Sequence, residues 1–247
     1  MTLQIAAELI ASASRGVALT GAGVSVESGI PAFRGHHGLW TKVDPVKVAS
    51  IGYFLADPGA YWAVAKERGR VVMAATPNAG HTALARLEAA GHLSAVVTQN
   101  TDGLHQDSGS RRVIELHGSG RTVTCLDCDA RELRSEVQTR LDSEMPPRCR
   151  QCGGARLKPA VVLFGEALPL EAIRQAIELA RDADVMLVVG SSLVVYPAAE
   201  IPIIAIRSGA RLIVVNAEPT PLDSVADAVV RGQSGTILPE LVRLVGA

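Results

Sequence analysis

An α/β fold is the class this sequence predicts: a parallel sheet covered by helices on both faces, with a smaller zinc-binding insertion. Three observations lead there. Short Val/Ile/Leu runs alternate with helical stretches. The first run ends in Gly-x-Gly, and all four cysteines fall in one short interval. The 247 residues suffice for one large domain with a smaller one attached. A composition that is 48% apolar and 20% charged describes a compact globular chain. Aromatics make up only 3%, so the core must be built from Ala, Val, Leu and Ile.

The elements follow in order. An amphipathic helix is expected at Thr2–Ser14, then a short apolar strand at Gly16–Thr20. A second helix, Gly80–Ala90, stops at Gly91 and leads into a strand at Ser94–Thr98. Further apolar runs occur at Val113–Leu116, Ala160–Phe164, Val185–Val189 and Leu212–Val215. Helical stretches are expected at Leu170–Arg181, Ala198–Ser208 and Ile237–Val245. Two intervals break the alternation. Pro31–Pro77 holds both Trp, two of the three Tyr and two of the three Phe on a mostly helical pattern. Arg121–Leu157 holds all four Cys. Both read as insertions that together build the smaller domain.

Charge and hydropathy exclude several classes. Net charge is −1, and Arg121–Arg156 carries seven Arg against six acidic residues, so no cationic footprint for nucleic acid is present. No apolar run is long enough to span a bilayer, and no basic flank precedes the N-terminal apolar residues. The expected compartment is therefore the cytoplasm, where disulfides are disfavoured.

Cys125, Cys128, Cys149 and Cys152 form C-x2-C-x20-C-x2-C. Two residues between cysteines let both thiolates of a knuckle reach one tetrahedral ion, and two knuckles complete the set. Four thiolates leave no position for water, so the expected Zn2+ is structural. It would hold together an insertion too small for a core of its own. The strand Gly16–Thr20 leads into Gly21-Ala22-Gly23-Val24-Ser25, the arrangement by which backbone approaches a pyrophosphate. The third glycine of the dinucleotide fingerprint is absent, since Val occupies position 26. The acidic ribose ligand expected about twenty residues on has no candidate either.

Taken together, several motifs carry a resemblance. Gly21–Gly35 reads GAGVSVESGIPAFRG, residues 98–102 read TQNTD and residues 115–118 read ELHG. KPAVVLFGE (158–166), GSSLVV (190–195) and VVNAE (214–218) follow. In order and spacing the chain resembles the sirtuin family over nearly its whole length. The resemblance implies a Rossmann-like, doubly wound NAD-binding domain of residues 1–30, 78–120 and 158–247. It also implies a cofactor loop and helical module of 31–77 and a zinc module of 121–157. NAD, the co-substrate, and an acyl-lysine protein or peptide would enter opposite ends of the cleft between them.

The site residues follow by the same resemblance. Gly21, Ala22, Gly23, Ser25, Phe33 and Arg34 would form the cofactor loop. Gln99, Asn100 and Asp102 would line the nicotinamide and ribose pocket, and His117 would be the catalytic histidine, assisted by Asn100. Gly190, Ser191 and Ser192 would hold phosphate and ribose, with Asn216, Glu218 and Ser234 completing the cofactor site. Val161, Phe164, Gly165, Glu166 and Val194 would bind acyl-lysine and its peptide. Ala32 stands where many relatives carry Asp, and Thr101 replaces a branched apolar residue; neither removes a catalytic group.

The implied reaction breaks the nicotinamide bond, and the acyl oxygen captures the ribose. A base then activates a ribose hydroxyl. Imidazole titrates near neutrality, so His117 suits that task. His81, His92 and His105 have no comparable support. A branch of the family that prefers acidic acyl groups carries Tyr-x-x-Arg just after a tryptophan. Here Trp62 precedes Ala65 and Arg68, so the arginine matches and the tyrosine position is Ala65. A buried Arg favours a carboxylate, while the lost hydroxyl removes about 1 kcal/mol of hydrogen bonding. The expectation is a roomy pocket with deacetylation retained, bulkier acyl groups accepted and desuccinylation weakened. The alternatives are a mono-ADP-ribosyltransferase or NAD hydrolase, a hydride-transferring dehydrogenase, and a non-catalytic zinc-ribbon binding module. A monomer is favoured.

Overall fold

A computed structural model describes residues 2–32, 44 and 48–247 of the chain. In order, its helices are α1 (Thr2–Ser12), α2 (Ile51–Ala56), α3 (Pro58–Ala74), α4 (Ala79–Ala89), α5 (Leu104–Asp107), α6 (Arg134–Arg140), α7 (Leu170–Asp182), α8 (Glu200–Arg207) and α9 (Ser234–Val245). The strands are β1 (Gly16–Thr20), β2 (Leu93–Thr98), β3 (Val113–Glu115), β4 (Gly118–Cys125), β5 (Arg131–Leu133), β6 (Leu157–Val161), β7 (Val185–Val189), β8 (Arg211–Asn216) and β9 (Ala228–Arg231).

Six strands form one parallel sheet in the order β3-β2-β1-β7-β8-β9. This is the Rossmann-like, doubly wound arrangement, whose connections reverse direction between β1 and β7. Successive side chains on a strand point to opposite faces, and the two cores divide accordingly. Ala18, Val96, Leu187, Ile213 and Val215 pack with Ala6, Ile10, Leu84, Leu87, Leu238 and Leu241 from α1, α4 and α9. Val17, Leu19, Met186, Val188 and Val214 pack on the other face with Ala176, Ala180, Ile201 and Ala205 from α7 and α8. Both faces are covered, so β1 and β7 are buried along their whole length.

Three antiparallel strands in the order β5-β4-β6 make the second sheet. The Ala160–Phe164 run, expected with the other apolar runs, thus lies partly in this smaller sheet. Lys158 and Pro159 obscured its start, which is at Leu157. A third core joins the sheet to the helical segment through Phe54, Tyr61, Trp62, Val123, Val137, Leu141 and Leu157. The Trp62 indole donates to the Leu157 carbonyl at 2.8 Å, satisfying the one polar atom of a fully buried side chain. Asp57 caps α3 by accepting from Ala60 N, with Pro58 in the first turn.

Two further departures have local causes. The last helix begins at Ser234, three residues before the expected start; Gly235 and Thr236 are weak helix formers and masked its first turn in the sequence. β9 spans only four residues at the sheet edge and offers too short a run to stand out by periodicity.

Candidate functional site

The carboxyl ends of β1 and β7 flank the point where the sheet order reverses, the place where such sheets bind ligands. Gly21 N donates to Val189 O at 3.0 Å, and Gly23 N donates to Gly190 O at 2.8 Å. A Cβ on Gly23 would come within 2.7 Å of Gly190 Cα. Gly190 has φ +59, and a Cβ there would strike Val24 N. Backbone therefore lies directly on backbone, and only glycine permits it. The chain then forms a 3-10 helix, Ala22–Ser28. This surface of bare peptide is suited to close approach of a pyrophosphate.

The ends of β2 and β3 add the polar groups. Gln99 Nε2 donates to Ser191 Oγ at 2.9 Å. Buried Asn100 donates from Nδ2 to Gly21 O at 3.2 Å and to Ser25 Oγ at 3.0 Å. Ser25 Oγ donates to Asp102 Oδ2 at 2.7 Å, and Asp102 Oδ1 accepts from Leu104 N. His117 Nδ1 lies 2.8 Å from the Gln99 carbonyl. A carbonyl only accepts, so Nδ1 carries the proton and Nε2 is the basic nitrogen. Burial lowers the His117 pKa, outweighing the opposing hydrogen bond to Gln99, and keeps the ring neutral.

A cavity of about 1160 Å³ joins these groups to the smaller sheet. A single small ligand usually occupies about 300–1,000 Å³, so the volume suits more than one ligand or a long one. Gly21, Ala22, Gly23, Gln99, Asn100, His117, Gly190, Ser191, Ser192, Asn216, Glu218 and Ser234 line it. Ala65, Arg68, Val161, Phe164, Gly165 and Glu166 line it as well. Ser25 and Asp102 stand behind this lining, Ser25 bonded to Asn100 and Asp102 bonded to Ser25. Val194 is surface-exposed and not part of the wall. Phe33 and Arg34 lie outside the described residues. A partly buried ion pair, Lys158 Nζ to Glu166 Oε2 at 2.9 Å, fixes the segment after β6. Glu166 Oε2 also accepts from Leu163 N at 2.8 Å.

Three participants escaped sequence reasoning. His81 sits at the third position of α4, where its Nδ1 accepts from Asn78 N in a reciprocal cap. Its Nε2 lies 3.4 Å from Ser25 Oγ, so it backs the same network. The Asn-x-x-His spacing was the available signal. Tyr61 and Arg134 line the cavity, and nothing in the sequence marks them as facing one space.

The four cysteine sulfurs lie within 4.8 Å of one another. Cys125 and Cys152 Sγ are 3.6 Å apart, and Cys128 and Cys149 Sγ are 3.7 Å apart. A zinc–sulfur distance of about 2.3 Å gives tetrahedral edges of about 3.8 Å, so this quartet fits Zn2+.

The comparisons with known proteins agree with this geometry. A model described as Sir2 family matches residues 21–197. NAD-dependent protein deacylase 2 of Archaeoglobus fulgidus is 51% identical over 237 residues, covering 96% of this chain and 93% of the relative. A Sir2 structure holding a deacetylated p53 peptide and 3′-O-acetyl-ADP-ribose superposes with TM-score 0.94 at 40% identity, covering 98% of each chain. A second, Sir2Af2 bound to a myristoylated histone peptide, gives TM-score 0.84 at 44% identity, covering 99% of this chain and 96% of the other. A family model over most of the chain and a relative at 51% identity along nearly its whole length show that the chain belongs to the Sir2 family, the sirtuins.

Proposed function

We propose that the cavity is the active site of an NAD-dependent protein-lysine deacylase, which converts acyl-lysine, NAD and water into free lysine, nicotinamide and 2′-O-acyl-ADP-ribose. One observation carries the reading. Neutral His117, with Nδ1 committed to Gln99, lines a single cavity whose wall runs from the glycine floor to an apolar pocket. A base is needed where the two substrates meet, and His117 supplies it.

NAD, as substrate, supplies the ribose that accepts the acyl group. The protein's residues do the rest. Gly21, Gly23 and Gly190 present peptide surface to the pyrophosphate, and Ser191, Ser192, Asn216, Glu218 and Ser234 bind the remainder of the nucleotide. Asn100, held by Gly21 and Ser25, positions nicotinamide together with Gln99 and Asp102. His117 Nε2 takes the proton from a ribose hydroxyl, worth about 10²–10⁴ in rate. Val161, Phe164, Gly165, Glu166 and Val194 hold the acyl-lysine peptide. Phe33 and Arg34 are proposed for the cofactor on motif grounds. The four cysteines hold Zn2+ as a structural ion and take no part in chemistry.

On the same reading the chain divides into 1–30, 78–120 and 158–247, a module of 31–77 and a zinc module of 121–157, with β6 crossing the last boundary by its pairing to β4. Among the described residues no helix is long and apolar enough to cross a membrane, and we place the enzyme in the cytoplasm as a monomer.

Incubation of an acetyl-lysine peptide with NAD, resolved by mass spectrometry, tests the proposal. Equal amounts of deacetylated peptide, nicotinamide and O-acetyl-ADP-ribose are expected, with loss of all three in His117→Ala. ADP-ribosylated protein, free ADP-ribose without deacetylation, or NADH would refute it in favour of transferase, hydrolase or dehydrogenase chemistry.

A further inference from the structure

Arg134 belongs to the zinc module by sequence, yet it lines the cavity at the end formed by α3. It is 5% exposed. Its Nη2 donates to Ala65 O at 3.0 Å, its Nη1 donates to Gln138 Oε1, and its guanidinium carbon lies 4.8 Å from the Trp62 ring centre. All of these partners are neutral, and among the described residues no carboxylate pairs with it. A buried guanidinium without a counter-ion is unusual, because burying a charge is costly unless it is paired.

Two other groups face the same space. Tyr61 is buried and lies near enough to Arg68 and Arg134 to feel both positive charges. Burial pushes its hydroxyl pKa up to about 12, so the group stays a proton donor. Tyr61, Ala65 and Arg68 recur at helical spacing along one face of α3. The absence of a side chain at Gly69 leaves room for the Arg134 guanidinium against α3. A side chain at Gly69 would strike the Arg134 guanidinium. Val64, Val72 and Met73 supply apolar wall.

We propose that Arg134 is a specificity-determining residue of the acyl pocket. With Tyr61 and Arg68 it makes the pocket select aliphatic acyl chains that end in a carboxylate and are longer than succinyl, such as glutaryl and adipoyl. The chain methylenes lie along the valines, and the carboxylate supplies the missing counter-ion. This rests on the deacylase reading.

The test compares one peptide carrying acetyl, succinyl, glutaryl, adipoyl or heptanoyl lysine, the last being the neutral counterpart of adipoyl in length. Wild type should favour adipoyl over heptanoyl by about tenfold or more in kcat/KM, mainly through KM, the low end for a hydrogen bond to a charged group. Arg134→Gln should collapse that ratio towards one, and Arg134→Lys should retain part of it. Succinyl should be slower than adipoyl. A wild-type ratio near or below one, succinyl faster than adipoyl, or an unchanged ratio in Arg134→Gln overturns the inference. The wild-type ratio decides the matter even if the variants do not fold. Failure on every acyl group, acetyl included, would instead refute the deacylase reading.

Discussion

Acidification should destabilise the protein through His105, and the size of the effect follows from its surroundings. His105 is 1% exposed, its Nε2 lies 2.9 Å from Thr20 Oγ1, and its Nδ1 has no partner among the described residues. The His81 ring stands beside it, with ring centres 4.9 Å apart. Burial lowers its pKa from 6.5 to about 3, and His81 adds in the same direction. The folded ring therefore stays neutral while the unfolded ring takes a proton. The contribution is fully present above the unfolded pKa and is lost progressively as pH falls from 6.5 towards about 3. At about pH 5 the unfolded state gains about 2 kcal/mol from this group alone, at about 1.36 kcal/mol per pH unit. Denaturant unfolding of wild type and His105→Gln at about pH 8 and about pH 5, followed by circular dichroism, isolates the term. Glutamine does not titrate there but can still donate to Thr20. Acid loss of zinc affects both proteins and cancels. The stability gap between them should narrow by about 2 kcal/mol at the lower pH. A gap independent of pH would refute the reasoning.

Further outcomes follow from the same geometry. The lowered pKa of His117 should place the acid limb of the kcat/KM–pH profile, which reports the free enzyme, below the ordinary histidine value; a limb above it would mean that another group titrates. Gly190→Ala forces a side chain into left-handed backbone, costing about 1–2 kcal/mol, and into Val24 N. Calorimetry should show NAD affinity falling at least about tenfold, the equivalent of about 1.4 kcal/mol. Removing zinc with a chelator, or substituting Cys152→Ser, should unfold the β4–β6 sheet and lower the melting temperature, because ion binding and folding of such modules are linked. A chromophoric chelator should titrate one zinc per chain.

Much of this was legible in the sequence because the signals are local. The cysteine spacing, the Gly-x-Gly after a buried strand and the period of the apolar runs each need only a few neighbouring residues. What was not legible depends on distant segments meeting. Tyr61 and Arg134 are 73 positions apart in the chain, and only the packing of α6 against α3 brings them to one cavity. His81 looked unremarkable because its partner Ser25 comes from another loop. The close backbone contact of Gly23 with Gly190, which follows β7, likewise joins two segments far apart in the chain.

The small sheet is joined to the large one in an instructive way. Gly118, with φ +72, pairs with Val161, and Val162 N donates to His117 O at 2.8 Å. A Cβ on Gly118 would strike Ala160 O. The outgoing and returning chains thus pass through one neck, closed by a backbone bond to the histidine itself. The peptide that carries His117 is therefore gripped by both sheets at once, so any displacement of the smaller sheet must either break this bond or carry the backbone of the histidine with it.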